Sequence, residues 1–260
     1  MATLQDYRNE RLRKLETLRE LGVDPYPARS ERTHGCGEVL ARYDELAGHE
    51  VVVAGRIVSI RSFGKLAFIK LRDGGGEVQL YLQRDDVAEL DAGRGVLGMK
   101  QLKLLDTGDF VEARGAMTTT QTGEKSVGVR ELRLLTKSLR PMPEKLENKE
   151  ERFRRRYVDM NVNPEVRQRF VRRSKFWQAT RDYMNSHGFT EVNVPVLEHT
   201  TGGADANPFV THMDALDNQQ FYLRISHELP LKRLIGAGFE KVYDLGPRFR
   251  NENYSDEHLP

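Results

Sequence analysis

The sequence predicts an α+β chain: an N-terminal helix and a small five-stranded β-barrel, then an antiparallel sheet with helices on one face. Three observations carry this. Residues 49–137 come in short runs rich in Val, Ile, Phe and Tyr, separated by turn residues, as strands do. Residues 164–187 switch to helical spacing, and the strands after them are short and partly charged. Between the two parts lies a charged stretch opened by Pro141 and Pro143, which end the last strand of the first part.

Composition sets bounds on function. With 260 residues the chain can hold two domains or one large one, and 38% hydrophobic content with eleven Phe and nine Tyr supports folded cores. Lys and Arg number 41 against 39 Asp and Glu, a net charge of +2, so any nucleic-acid contact must come from local patches. Cys36 is the single cysteine, which excludes an internal disulfide and a cysteine-based zinc cluster and suits a reducing cytosol. "MATLQDYRNERLRKLETLRELG" has no apolar segment of the leader type, its Asp6, Glu10, Glu16 and Glu20 are foreign to a mitochondrial presequence, and no apolar run approaches membrane-spanning length. These features predict a soluble cytoplasmic protein with no membrane partner.

Residues 3–21 read as a helix with Leu12, Leu15 and Leu18 along one apolar edge, stopped by Gly22 and Pro25; residues 1–48 form this helix and its lead-in. "EVVVAGRIVSIRSFG", "KLAFIKLRD" and "GEVQLYLQRDD" are three successive strands, with the turn Asp73-Gly74-Gly75-Gly76 between the last two. A polar helix is expected over 85–105. "GDFVEARGAMTTT" and "SVGVRELRLLTKSL" supply two more strands around Thr122-Gly123-Glu124. Three strands, a helix and two strands over 49–140 match the order of an OB-fold, a small barrel that often binds oligonucleotides. The glycine triplet is no phosphate loop, because it lies in a hairpin and no Lys-Ser/Thr pair or helix follows.

Residues 141–163 read as a linker, in which Arg154–Arg156 are either a solvated helix start or a phosphate-facing patch. Over 164–260 a long helix runs to Gly188, with Phe170, Phe176, Trp177 and Tyr183 on its apolar side. The strands "FTEVNVPVL" and "FYLRIS", a helix over 228–237 and the strand "KVYDLGPRFRNE" complete the second part. On that last strand Arg248, Arg250 and Glu252 share one face and Phe249 takes the other. Guanidinium forks suit phosphate and carboxylate oxygens; cross-strand ion pairing is the plainer alternative. Glu228 opens a helix, where such a residue commonly complements the helix dipole. "TTGGADANPF" is a glycine-rich loop, either a simple turn or a place where backbone approaches a ligand.

The chain also carries, in order, "GVDPYP", "VAGRIVSIRSFGK", "VQLYLQRDD", "ELRLLTKSLRPMPEK", "RRRYVDM", "GFTEVNVPVL", "GGADANPFVTH" and "YLRISHELPLKRLIGAGFEKVYDLGPRFRNE". In that order and spacing it resembles class II lysyl-tRNA synthetases along essentially its whole length. The resemblance implies an anticodon-binding OB domain followed by part of a class II catalytic domain. It implies ATP-dependent activation of L-lysine and transfer to tRNA-Lys. "GFTEVNVPVL" resembles the first class signature, ending at Pro195, and implies a homodimer through that region; "RFRNE" resembles the second. The third signature and the Mg²⁺ ligands are expected beyond Pro260, so the chain alone is expected not to form lysyl-adenylate.

The resemblance assigns Arg250 to the ATP α-phosphate and the substrate carboxylate, Glu252 to the adenine end, and His258 to the loop over the phosphates. It assigns Glu228 to the side-chain ammonium of lysine and Gly203 to close backbone approach. It also assigns Phe68, Gln79 and Glu131, with Arg61 beside them, to the central anticodon uridine, although Phe68 by itself reads as a core residue. Asn207, Asn253, Glu257 and the "GPR" before "FRNE" depart from the common family pattern. Two rival readings are an aspartyl- or asparaginyl-type synthetase and a non-catalytic tRNA-binding module.

Overall fold

A computed structural model describes residues 3–143 and 145–252, which divide into a unit ending at Val162 and a second beginning at Asn163. The first opens with α1 (Leu4–Glu20). Thr3 and Asp6 cap it reciprocally: Asp6 N–H donates to Thr3 Oγ1 at 3.2 Å and Thr3 N–H to Asp6 Oδ2 at 2.7 Å. Gly22 at φ +77° ends it, and Val23 N–H donates back to the Leu18 carbonyl. Its buried face is Arg11, Leu15 and Leu18, one helical stripe. Two short helices, α2 (Cys36–Ala41) and α3 (Tyr43–Leu46), lead into the barrel.

The barrel strands are β1 (Glu50–Phe63), β2 (Leu66–Arg72), β3 (Glu77–Gln83), β4 (Val96–Leu97), β5 (Phe110–Thr119) and β6 (Lys125–Thr136). They pair in the order β3-β2-β1-β5-β6-β4, and a parallel β3–β6 pairing closes the barrel. β1 is long enough to pair with β5 through its first half and with β2 through its second. Strict alternation sets the faces: Ala67, Ile69 and Leu71 on β2 and Val78, Leu80 and Leu82 on β3 fill the core, leaving Phe68, Gln79 and Tyr81 outside.

The helix expected over 85–105 does not form. The stretch holds a tight turn closed by Asp91 and Val96, the two-residue β4 on the edge of β6, and a 3₁₀ turn over Met99–Leu104. Gly93, Gly95 and Gly98 interrupt helix propagation, and pairing with Arg133 and Leu132 captures Val96 and Leu97 as strand.

Cys36 is fully buried, and burial, reinforced by the negative charge of Asp73, pushes its thiol up to about 12. Almost no thiolate exists at neutral pH. A disulfide reagent is therefore expected to label one thiol in guanidinium and none in the folded protein over the same interval. Labelling at equal rates in both states would show that this part of the core is open.

Residues after the barrel form α4 (Lys149–Arg154) and α5 (Arg156–Val162), with Asn148 capping α4 through the Glu151 N–H at 2.9 Å. Arg154 and Arg155 pair with Glu150 and Glu151 one turn earlier, and Arg152 and Arg156 both bond Asp159. The arginine run is thus committed largely to its own helices.

The second unit holds α6 (Pro164–Ser186), β7 (Thr190–Glu191), β8 (Leu197–Glu198), β9 (Val210–Met213), β10 (Gln219–Leu223), α7 (Glu228–Gly236) and β11 (Val242–Tyr243). β8, β10 and β9 make an antiparallel three-stranded sheet, while β7 and β11 pair in parallel. The second unit thus holds the expected antiparallel sheet and, separate from it, a two-stranded parallel pair. The strand expected over 241–252 stops at Tyr243. Pro247 has no N–H to give a ladder, and a buried arginine occupies the bonding positions beside it. Phe170, Phe176, Trp177 and Tyr183 lie exposed on α6.

Candidate functional site

On the barrel, β1, β2 and β3 present a continuous outer face. Arg61 on β1 stands opposite Phe68 on β2, and Phe68 opposite Tyr81 on β3. The Phe68 ring lies 5.5 Å from Tyr81 at 36° and 6.3 Å from Phe63 in an edge contact. Phe63, at the tip of β1, is 63% exposed. Phe68 is half-buried on this face and not in the core, correcting the reading of the residue alone. An exposed aromatic group of this kind offers π-faces to a flat ring. Gln79 is on the same face, and its amide nitrogen donates to Ser126 Oγ at 3.0 Å; the amide oxygen is an acceptor by chemistry.

Glu131 lies on β6 opposite Arg114. Its Oε2 accepts from Arg94 Nη2 at 2.8 Å and lies 3.6 Å from Arg114 Nε. The structure therefore gathers Arg61, Phe68 and Gln79 onto adjoining strands and engages Glu131 with two arginines. Sequence reasoning missed Phe63, Tyr81 and Arg94. The alternation in "QLYLQ" could have found Tyr81, since it places that ring on the side of Gln79.

In the second unit the loop after β8 folds against the start of α7. Gly203 has φ +77°, and a Cβ there would come 2.9 Å from Glu228 Cβ and 3.1 Å from Ser226 Oγ. A side chain would be strained by the backbone and would collide with the neighbouring chain, so glycine is required. Ser226 Oγ accepts the Glu228 N–H at 3.1 Å, and the Glu228 carboxylate accepts Lys232 Nζ at 2.6 Å, one helical turn on. Glu228 is exposed, a carboxylate at a helix N-terminus with a cation beside it.

Arg250 is held from both sides. Phe249 N–H donates to the Arg224 carbonyl at 3.0 Å and Asn251 N–H to the Asn207 carbonyl at 2.8 Å. These bonds fasten the arginine segment between the end of β10 and the glycine-rich loop. Arg248, Arg250 and Glu252 are exposed, with half-buried Phe249 on the other side. The predicted alternation survives without a strand ladder. His258 lies outside the described residues. Glu228, Gly203 and the Arg250 segment thus converge on one loop, giving a carboxylate and a guanidinium on a shared scaffold. Among the described residues no group of three or more His, Cys, Asp or Glu could hold a metal ion, and no helix is long and apolar enough to cross a membrane.

Comparison with known proteins matches residues 51–135 to the family described as OB-fold nucleic acid binding domain and residues 148–260 to tRNA synthetases class II (D, K and N). The lysine–tRNA ligase of Moorella thermoacetica is 47% identical over 253 residues, 96% of this chain and 50% of that protein. The lysine–tRNA ligase of Trichormus variabilis is 45% identical over 98% of this chain and 47% of its own length. That of Roseiflexus castenholzii is 47% identical over 99% and 52%. The chain spans about half the length of the curated relatives it matches. With an OB-fold nucleic acid binding domain followed by class II synthetase sequence in one continuous match, the chain belongs to the class II tRNA synthetases of the D, K and N family.

Proposed function

We propose that the protein carrying this chain is a lysine–tRNA ligase of the cytosol. It would activate L-lysine with ATP to lysyl-adenylate and transfer the lysyl group to the 3′ end of tRNA-Lys. The supporting observation is the meeting of Gly203 with Glu228 beside the segment that carries Arg250. A lysine carboxylate is already ionised, so attack on the α-phosphate needs no general base, and catalysis reduces to placement and charge stabilisation. Arg250 would bridge the α-phosphate and the attacking carboxylate as pyrophosphate leaves. Glu252 would lie near the adenine and His258 near the phosphates. Glu228 would receive the ε-ammonium, and Gly203 would let substrate approach the backbone.

We assign residues 49–140 to anticodon binding and 164–260 to part of the catalytic domain, with 1–48 and 141–163 as lead-in and linker. A homodimer would form through the region of Pro195. Magnesium is expected with ATP, although among the described residues no group of three or more His, Cys, Asp or Glu could hold it.

ATP–pyrophosphate exchange by the natural protein tests the reading: exchange with lysine is expected, and none with aspartate or asparagine. Exchange only with aspartate or asparagine would transfer the protein to that branch of the family. No exchange with any of the three would leave a tRNA-binding module.

Phe68 would stack on the central anticodon base. Phe68→Ala is expected to weaken cognate tRNA binding by about 1–3 kcal/mol, the usual worth of one base–aromatic stack. Adenylate formation should be unchanged, since the ring lies outside the barrel core. Unchanged tRNA affinity by filter binding or titration would remove Phe68 from the interface.

A further inference from the structure

Arg224, at the end of β10, has only 3% of its surface exposed, yet it touches none of the groups assigned to chemistry. Its Nη1 donates to the Val194 carbonyl at 2.7 Å and meets Asp244 Oδ2 at 3.2 Å, and its Nε donates to the Pro247 carbonyl at 3.0 Å. Its backbone takes part too, the N–H donating to Val196 and the carbonyl accepting from Phe249. One residue thus binds three strips of chain: 194–196, 244–247 and 249. Asp244 braces the second strip, its Oδ1 accepting the Gly246 N–H at 2.7 Å. His227 adds a parallel tie, with its Nε2 3.3 Å from the Pro247 carbonyl.

This arrangement joins the two halves of the candidate site. Arg224 lies four residues before Glu228 and grips the strip that leads into Arg250. We infer that Arg224, locked by Asp244, is a positioning residue that fixes Arg250 relative to Glu228, so that the phosphate-directed guanidinium and the ammonium-directed carboxylate act on one bound substrate. The inference rests on the lysine-activating reading above. Its physical basis is that these segments have no ladder of their own between Asp244 and Glu252; the guanidinium fork supplies directional bonds in place of one. Lysine at this position would keep the charge but not the fork. Gly246 offers an independent approach from the other side, since a Cβ there would fall 2.1 Å from Arg224 Nη2 and push the fork aside.

The test compares wild type, Arg224→Lys and Gly246→Ala in the natural protein by lysine-dependent ATP–pyrophosphate exchange, with thermal unfolding measured alongside. Both variants are expected to lose kcat by ~100-fold, the scale of an ångström-sized misplacement of reacting groups. KM for lysine should stay within about threefold, because Glu228 keeps its own helix and its contact with Gly203. Asp244→Asn should reproduce the same split in milder form. A purely structural role would lower the unfolding temperature while leaving kcat per folded molecule unchanged, and that result overturns the inference. Equal losses in kcat and in lysine affinity overturn it as well. Wild type without lysine-dependent exchange overturns the functional reading and the inference with it, whereas wild-type exchange that survives all three substitutions overturns the inference alone.

Discussion

Replacing Lys137 by Met is expected to destabilise the barrel unit by about 3–5 kcal/mol, the cost of stranding buried charge when one partner of an ion pair is removed. The Lys137 side chain has no exposed surface. Its Nζ bonds the Leu104 carbonyl at 2.8 Å, Asp106 Oδ2 at 2.5 Å and Asp109 Oδ2 at 2.7 Å, and Asp109 is equally buried. Methionine fills much of the volume but strips buried Asp109 of its cation, beside an Asp106 that keeps Lys14. The damage should reach α1, because Lys14 shares Asp106 with Lys137, and Arg11 bonds the carbonyls of Thr107, Ser138 and Arg140 next to the cluster.

The loss should depend on pH. Burial pushes the Asp106 carboxyl up, but bonds from Lys137 and Lys14 outweigh it and hold the group below its ordinary value. A carboxylate held low in the folded state adds stability above its unfolded pKa, and that contribution disappears as pH falls through the folded one. The gap between wild type and Lys137→Met is therefore expected to be widest near neutrality and to narrow as pH falls. Burial holds the Asp109 carboxyl above its ordinary value even beside Lys137, so without that cation it takes up a proton first. Asp106 follows below about pH 4, near the unfolded aspartate value. Denaturant melts at several pH values would measure it; a gap independent of pH would mean that packing, not charge, sets the cost.

The parts of the fold that rest on local period were legible in the sequence, and those that rest on distant partners were not. Ala67, Ile69 and Leu71 against Phe68 and Lys70 show a two-residue period, which fixes the inner and outer faces of β2 before any contact is known. The stretch 85–105 looked helical because its polar spacing is locally permissive; β6, far along the chain, decides its shape by capturing Val96 and Leu97. Lys137 was unreadable as a core residue, since a lysine is seldom buried without partners and its partner Asp109 lies 28 residues away. Arg224 was hidden in the same way: "LRIS" reads as ordinary strand, while the carbonyls and carboxylate that surround it lie 20 to 30 residues distant. The meeting of Gly203 with Glu228 was legible only through the family resemblance, because no spacing rule links a loop glycine to a helix start.

Glu228→Gln is expected to cut kcat/KM for lysine by on the order of 100-fold, about 3 kcal/mol, while KM for ATP changes little. The substitution keeps the size and hydrogen-bonding reach of the side chain and removes only its charge. Among the described residues that charge serves one partner, Lys232, in an exposed pair one helical turn apart; losing it costs a few tenths of a kcal/mol, too little to unfold α7. The Ser226 bond to the backbone N–H of residue 228 is untouched by the change, and so is the packing of Gly203 against the same helix start. A large effect on lysine would therefore report the bond to its ε-ammonium and not a collapsed loop. Lys232 sharpens the expectation. Its Nζ sits 2.6 Å from Glu228 Oε1, where a substrate ammonium would bind, so entering lysine must displace or share an existing cation. The charge on Glu228 would attract either cation, and a neutral amide would hold neither firmly. Equal losses for lysine and ATP in steady-state exchange would place Glu228 outside the lysine pocket.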